Sequence, residues 1–153
     1  MQNPFKRSHV VFLIIFIIAV AGVNLWQRWY IPTAVLELKG TKLDVMVAKT
    51  PAQQYRGLGK RDSLDPYDGM LFLFWESAEY AIVMRDMEFP IDIVWLDQGV
   101  VVDIAPNVQT EQGADETFTR YYPRKQANMV LELSAGWAEA HGLKIGDTMK
   151  VVE

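Results

Sequence analysis

The residues of this chain best suited to chemistry are Arg56, Arg61, Arg85, Asp86 and Asp92. A guanidinium grips a carboxylate or phosphate through two parallel hydrogen bonds, and Arg56 and Arg61, five apart around the end of a short helix, could meet on one anion. The plainer reading of that pair is two solvated or structurally paired arginines. Arg85 and Asp86 close an apolar run, whereas Asp92 interrupts another, Ile91-Asp92-Ile93-Val94. Three situations fit Asp92. It faces water, it is buried against an arginine such as Arg56, Arg61 or Arg85, or it serves a ligand; burial with no partner would be very costly. Asp86 and Asp92 together could also work as paired carboxylates of a hydrolase or transferase, with or without a divalent cation. No residue is singled out as catalytic.

Other chemistries are excluded or carry little. The chain has no cysteine, which removes disulfides, thiolate metal sites and thiol nucleophiles, and its two histidines, His9 and His141, cannot build a multi-histidine zinc site. No metal and no cofactor is expected. Gly-x-Ser-x-Gly and a glycine-rich phosphate loop are absent. Met70, Met84 and Met87 read as core filler before copper ligands, and Trp75, Trp95 and Trp137 as packing anchors before a sugar platform. The net charge is −4, and the +3 of residues 1–33 leaves −7 for the remainder. An acidic domain of this kind argues against nucleic acid as a partner.

The elements that must position these residues are mostly strands. Leu36, Leu38, Leu43, Val45 and Val47 alternate with polar or smaller residues about Lys39-Gly40-Thr41, the pattern of a β-hairpin. Thr50-Pro51-Ala52-Gln53 supplies an N-cap, a proline at the first helical position and a capping-box glutamine, opening a helix that Gly57 and Gly59 end early. The turn cluster Asp65-Pro66-Tyr67-Asp68-Gly69 delivers the apolar run MLFLFW, and YAIVM and IDIVWL read as further strands. Asp97-Gln98-Gly99 turns the chain into VVVDIA as a second hairpin. Residues 107–125 are polar and aperiodic and read as a long exposed loop, a type of segment that often carries function. Residues 128–133 form another strand, Ser134 is positioned to cap a short helix closed by Gly142, and MKVV returns as the last strand. The total predicts a β-rich α+β domain over residues 34–153, with about seven strands in a sandwich or partly closed barrel and two short helices.

Ahead of it lies VVFLIIFIIAVAGVNLW, residues 10–26, preceded by Lys6 and Arg7. As a retained helix it spans about 25 Å, a little short of the roughly 30 Å hydrocarbon core, with Trp26, Trp29 and Tyr30 forming an aromatic belt just beyond. As a signal peptide it offers Ala19-x-Ala21 for cleavage before Gly22. The belt favours a single-pass anchor in the cytoplasmic membrane, with residues 1–33 forming the cytoplasmic tip, anchor and linker. Either reading leaves Lys6 and Arg7 inside and the domain on the outer face.

The series Arg56-Gly57-Leu58, Arg61, Leu64, Gly69-Met70-Leu71-Phe72, Phe74, Met84-Arg85-Asp86, Pro90-Ile91-Asp92-Ile93, Leu131-Glu132-Leu133, Gly136, Gly142 and Gly146-Asp147 resembles the family called domain of unknown function 192. The resemblance implies a mostly β bacterial or archaeal domain, often exported or membrane-tethered, and implies no activity. Gly59 after Leu58, and Ile82-Val83 before Met84, depart from the family pattern. The expected function is a membrane-anchored, non-enzymatic module binding a small anionic ligand or a protein segment near the five charged residues. The paired-carboxylate enzyme and a structural envelope component are the alternatives.

Overall fold

In the computed structural model residues 7–152 are described, with side chains described for 9–23 and 30–152. The chain divides into two compact units, residues 1–31 and 32–153. The first contains helix α1 (Arg7–Trp29). Its described side chains are all exposed, including the apolar series from Val10 to Val23. Among the described residues no helix is long and apolar enough to cross a membrane. The rings of Trp26 and Trp29, on which the anchor reading leaned, lie outside the described side chains; Tyr30 is exposed.

The second unit is a β-rich α+β domain. Its elements are β1 (Thr33–Leu38), β2 (Thr41–Ala48), α2 (Pro51–Arg56), β3 (Gly69–Ala78), β4 (Ile91–Asp97), β5 (Val100–Val108), β6 (Ala127–Ser134), α3 (Trp137–Ala140) and β7 (Met149–Val151). The seven strands form one sheet in the order β5-β4-β6-β3-β2-β1-β7, antiparallel except where β3 joins β2. Both expected hairpins are present. Lys39-Gly40 and Gln98-Gly99 have positive φ at both turn positions, as the tight turns that match strand twist require. At one corner the sheet closes on itself. Met149 N–H donates to Gly99 O at 2.8 Å and Val101 N–H to Asp147 O at 2.9 Å, joining the β5 edge to the approach of β7. The result is a curled half-barrel whose two edge strands are tied together by hydrogen bonds at that corner.

Side-chain parity gives the sheet two buried faces. Leu36, Leu38, Leu43, Val45, Leu71, Val94, Leu96, Leu131 and Leu133 make the main core, joined by Ala138, Leu143 and Met149. The alternate residues Met46, Met70, Phe72, Ile93, Trp95 and Val130 are also buried, on the opposite face. Met70 pairs with Glu132, which pairs in turn with Ile93, so an acid sits in the middle of that second face.

Three local expectations need correction. YAIVM is not a strand of the sheet: residues 80–84 make only a bridge between Ile82 and Tyr121. The segment pairs with the 109–126 loop instead, Ile82 and Tyr121 exchanging both backbone hydrogen bonds at 2.9–3.0 Å. Ser134 belongs to β6 and does not cap α3, whose N-cap is Gly136 with no side-chain cap of its own. The long loop is more tied down than its polarity suggested. Phe118 is buried, and Glu111 accepts from Thr119 N–H at 2.8 Å and Tyr121 Oη–H at 3.2 Å.

Candidate functional site

Helix α2 begins where the sequence placed it. Thr50 Oγ1 accepts from Gln53 N–H at 3.3 Å, and Gln53 Oε1 accepts from Thr50 N–H at 3.0 Å, completing the capping box. The helix ends at Arg56 because Gly57 takes φ 51°, where the Cβ of another residue would be strained and would lie 3.5 Å from the Phe72 ring. Gly59 then approaches Arg85 O so closely that a Cβ would sit 3.1 Å from it, and Lys60 N–H donates to Asp86 O at 2.8 Å. These contacts hold the chain after α2 against residues 85–86.

Between these segments and the second sheet face lies a cavity of about 450 Å³, within the size range of small-molecule sites. Its walls come from the end of α2 and the following turn, from Phe72 on β3, from residues 81–87, from Asp115, Glu116 and Arg120 of the long loop, and from Glu132 on β6. Three arginines line it: Arg56, Arg85 and Arg120. Arg85 is held in place, its Nε 2.7 Å from Asp115 Oδ1, its guanidinium 4.3 Å over the Tyr55 ring and Nη1 3.4 Å from Tyr55 O. The apolar part of the wall includes Leu58, Phe72, Ile82 and Met87.

Glu132 is the unusual member. It is 4% exposed, and burial pushes its carboxyl up to about 8 from an ordinary 4.5. Among the described residues no donor bonds its carboxyl, yet no buried side-chain oxygen there lacks a partner. The tip therefore opens onto the cavity that Glu132 lines.

Of the five charged residues expected to form a seam, the cavity gathers Arg56 and Arg85. Arg61 is half-buried and does not line it. Asp86 stands outside with φ 55°, its carboxylate 3.6 Å from Lys60 Nζ in a largely exposed pair of small energetic value. Asp92 is fully buried, but neither against an arginine nor toward water. Its Oδ1 accepts from Asn107 N–H at 2.7 Å and Gly136 N–H at 3.0 Å, and Oδ2 from Ala138 N–H at 2.7 Å. Asp92 shares its sheet face with Val94 and Leu96, so it caps α3 from a neighbouring strand and supplies what Gly136 cannot. Both its oxygens are committed to backbone amides, and Asp86 is elsewhere. Neither of them lines the cavity.

The buried carboxylate with an arginine partner is Asp103, which the sequence reading passed over. Arg124 Nε lies 2.9 Å and 3.0 Å from the two oxygens, Nη2 also reaches Oδ1, and Arg124 N–H donates to Oδ2 at 2.7 Å. The Arg124 side chain, with the amides of Arg124 and Ile104, outweighs burial and holds the Asp103 carboxyl below its usual range. The tryptophans do not converge. Trp95 is buried with Nε1 donating to Tyr80 O at 3.1 Å, Trp137 stacks on His141 at 3.9 Å, and Trp75 is 99% exposed. His141 ends α3, its Nδ1 2.8 Å from Trp137 O.

Comparison with known proteins agrees with this architecture. The model of the family DUF192, described as Uncharacterized ACR, matches residues 34–151. The chain belongs to this family. Among solved structures the DUF192 chain is similar to a Sinorhizobium meliloti protein provisionally described as a transcription regulator, at 27% identity and TM-score 0.71, covering 79% of this chain and 95% of the other. It is also similar to a Novosphingobium aromaticivorans protein of unknown function, at 26% identity and TM-score 0.66, with 78% and 84% covered. No curated protein matches it significantly. In this DUF192 domain, Glu132, Arg120, Asp115 and Glu116 are the cavity residues that sequence reasoning missed. Glu132 carried one signal, an acid between two leucines in a central strand. The other three belong to a loop singled out only for its length.

Proposed function

We propose that this DUF192 domain is a binding module for a small anionic ligand, held in the cavity under the 109–126 loop. The observation that carries the reading is the lining of one cavity by Arg56, Arg85 and Arg120, with Arg85 oriented in advance by Asp115 and Tyr55. An oriented guanidinium loses less freedom on binding and presents its fork to an oxyanion. Asp86 and Asp92, being apart and otherwise engaged, give no support to a paired-carboxylate reaction. Titration of the full-length chain with acetate and with sulfate, followed by amide chemical shifts, tests the proposal. Shifts confined to the cavity residues are expected, with the affinity falling at least tenfold in Arg85→Ala/Arg120→Ala; no saturable shift with either anion would overturn it.

We also propose that α1 anchors the domain to the cytoplasmic membrane, with the domain outside. What supports this is the sequence of residues 10–26, the basic Lys6 and Arg7 before it, and the exposure of every large apolar side chain described on α1. An uncovered apolar surface of that extent calls for lipid or another apolar cover.

A further inference from the structure

Glu132 answers to none of the needs that explain the other buried acids. Asp92 caps a helix and Asp103 holds Arg124, but the strand neighbours of Glu132 are Met70 and Ile93, and no donor among the described residues reaches its carboxyl. The charged and titratable groups around the cavity are Tyr55 and Arg56 from α2, Arg85 from the segment before β4, and Asp115, Glu116 and Arg120 from the long loop. Strands β3 and β4 contribute only Met70, Phe72, Ile93 and Trp95 beside it. An ionised Glu132 would be a desolvated anion with no hydrogen bond from the described residues, next to the place where an anionic ligand should sit. A neutral carboxyl has an O–H to give, directed to the one side on which it is open.

We infer that Glu132 is the inner recognition group of the cavity, its neutral carboxyl donating to an oxygen of a small oxyanion whose charge the arginines hold. The inference rests on the anion-binding reading and narrows it to ligands with a carboxylate or a sulfate-like or phosphate-like group, their apolar remainder against Leu58, Ile82 and Met87. Burial keeps the acid protonated through neutral pH, since its carboxyl is pushed up to about 8. Loss of that proton replaces a donor with a negative charge facing the ligand, so anion affinity must fall as pH rises. Reciprocally, a bound anion must make Glu132 harder to deprotonate.

The test uses the full-length protein in a neutral detergent, with acetate and sulfate as probes, because the charge of neither changes between pH 6 and pH 9.5. Affinities at the two pH values are read by amide chemical-shift titration, for the native protein and for Glu132→Gln. The native protein should bind at pH 6 and lose about tenfold or more by pH 9.5. Glu132→Gln, which keeps a neutral donor, should bind at both with little change. Preference for acetate over sulfate would point to planar carboxylates, and the reverse to tetrahedral oxyanions. A native affinity that does not change with pH, or an equal fall in Glu132→Gln, overturns the role of Glu132 and leaves the anion site standing. Absence of binding at both pH values overturns both.

Discussion

Replacing Asp92 by alanine removes the acceptor of three backbone donors at once. Asn107, Gly136 and Ala138 present their N–H groups to it at 2.7, 3.0 and 2.7 Å, and the residue is 0% exposed. A buried donor left without an acceptor costs about 1–3 kcal/mol, and loss of a helix cap alone about 0.5–2 kcal/mol. The three donors share one carboxylate, so their losses are not additive. The expected destabilisation is about 3–5 kcal/mol, a large part of the roughly 5–15 kcal/mol that holds an ordinary domain together. Asp92→Asn is the sharper variant. It can keep the oxygen that receives Asn107 and Gly136, but must then turn an NH₂ group toward Ala138 N–H, setting donor against donor. About 2 kcal/mol is expected for that single mismatch. Urea unfolding of the full-length chain, followed by circular dichroism, measures both. An Asp92→Ala midpoint unchanged within about 0.5 kcal/mol would refute the remote cap, and equal losses in Ala and Asn would refute the division of labour between the two oxygens.

Glu132→Gln should stabilise the domain increasingly across the window from about 4.5 to about 8. The folded state holds the Glu132 proton up to about 8 while the unfolded chain releases it near 4.5, so the native contribution is full below the lower value and is lost as pH rises through the window. Urea unfolding at pH 4 and pH 8.5 should show the variant gaining by an amount on the order of a few kcal/mol at the higher pH and little at the lower. Equal effects at both would contradict a raised carboxyl. For α1, membranes washed with alkaline carbonate should retain the full-length chain; release of a soluble species beginning at Gly22 would replace the anchor with a cleaved signal peptide.

Most of the scaffold could be read in advance because its signals are local. Alternation in Leu36–Val47, the Lys39-Gly40 and Gln98-Gly99 turns and the Thr50–Gln53 box each act within a few residues. The errors arise where the outcome depends on distant chain. Residues 80–84 have the composition of a strand, yet their one β-bridge is made to the distant long loop, through Ile82 and Tyr121. Ser134 is suitably placed for a cap, but the cap comes from Asp92, forty-four positions before Gly136. Arg56 and Arg85 were legible as anion-gripping side chains. Arg120 was not, because its loop is brought over the cavity by long-range contacts, the bridge between Tyr121 and Ile82 and the Arg85–Asp115 ion pair.

The two buried carboxylates of the central strands show where local reading runs out. Asp92 in Ile91-Asp92-Ile93 and Glu132 in Leu131-Glu132-Leu133 each interrupt an aliphatic run, and β4 and β6 are neighbours, with Ile93 opposite Glu132 and Asp92 opposite Leu133. In sequence they are nearly the same feature. The one-residue offset in register sends them to opposite faces of the sheet. On one face Asp92 meets the amides that open α3 and is saturated. On the other Glu132 meets no donor and opens onto a cavity lined with arginines. A fold selected only for stability would place a leucine or methionine at 132, since an unpaired acid there costs native stability above pH 4.5. The cost of that acid, together with the lining of the cavity, is what supports the proposed binding role of Glu132, where the three amides on Asp92 support a structural one.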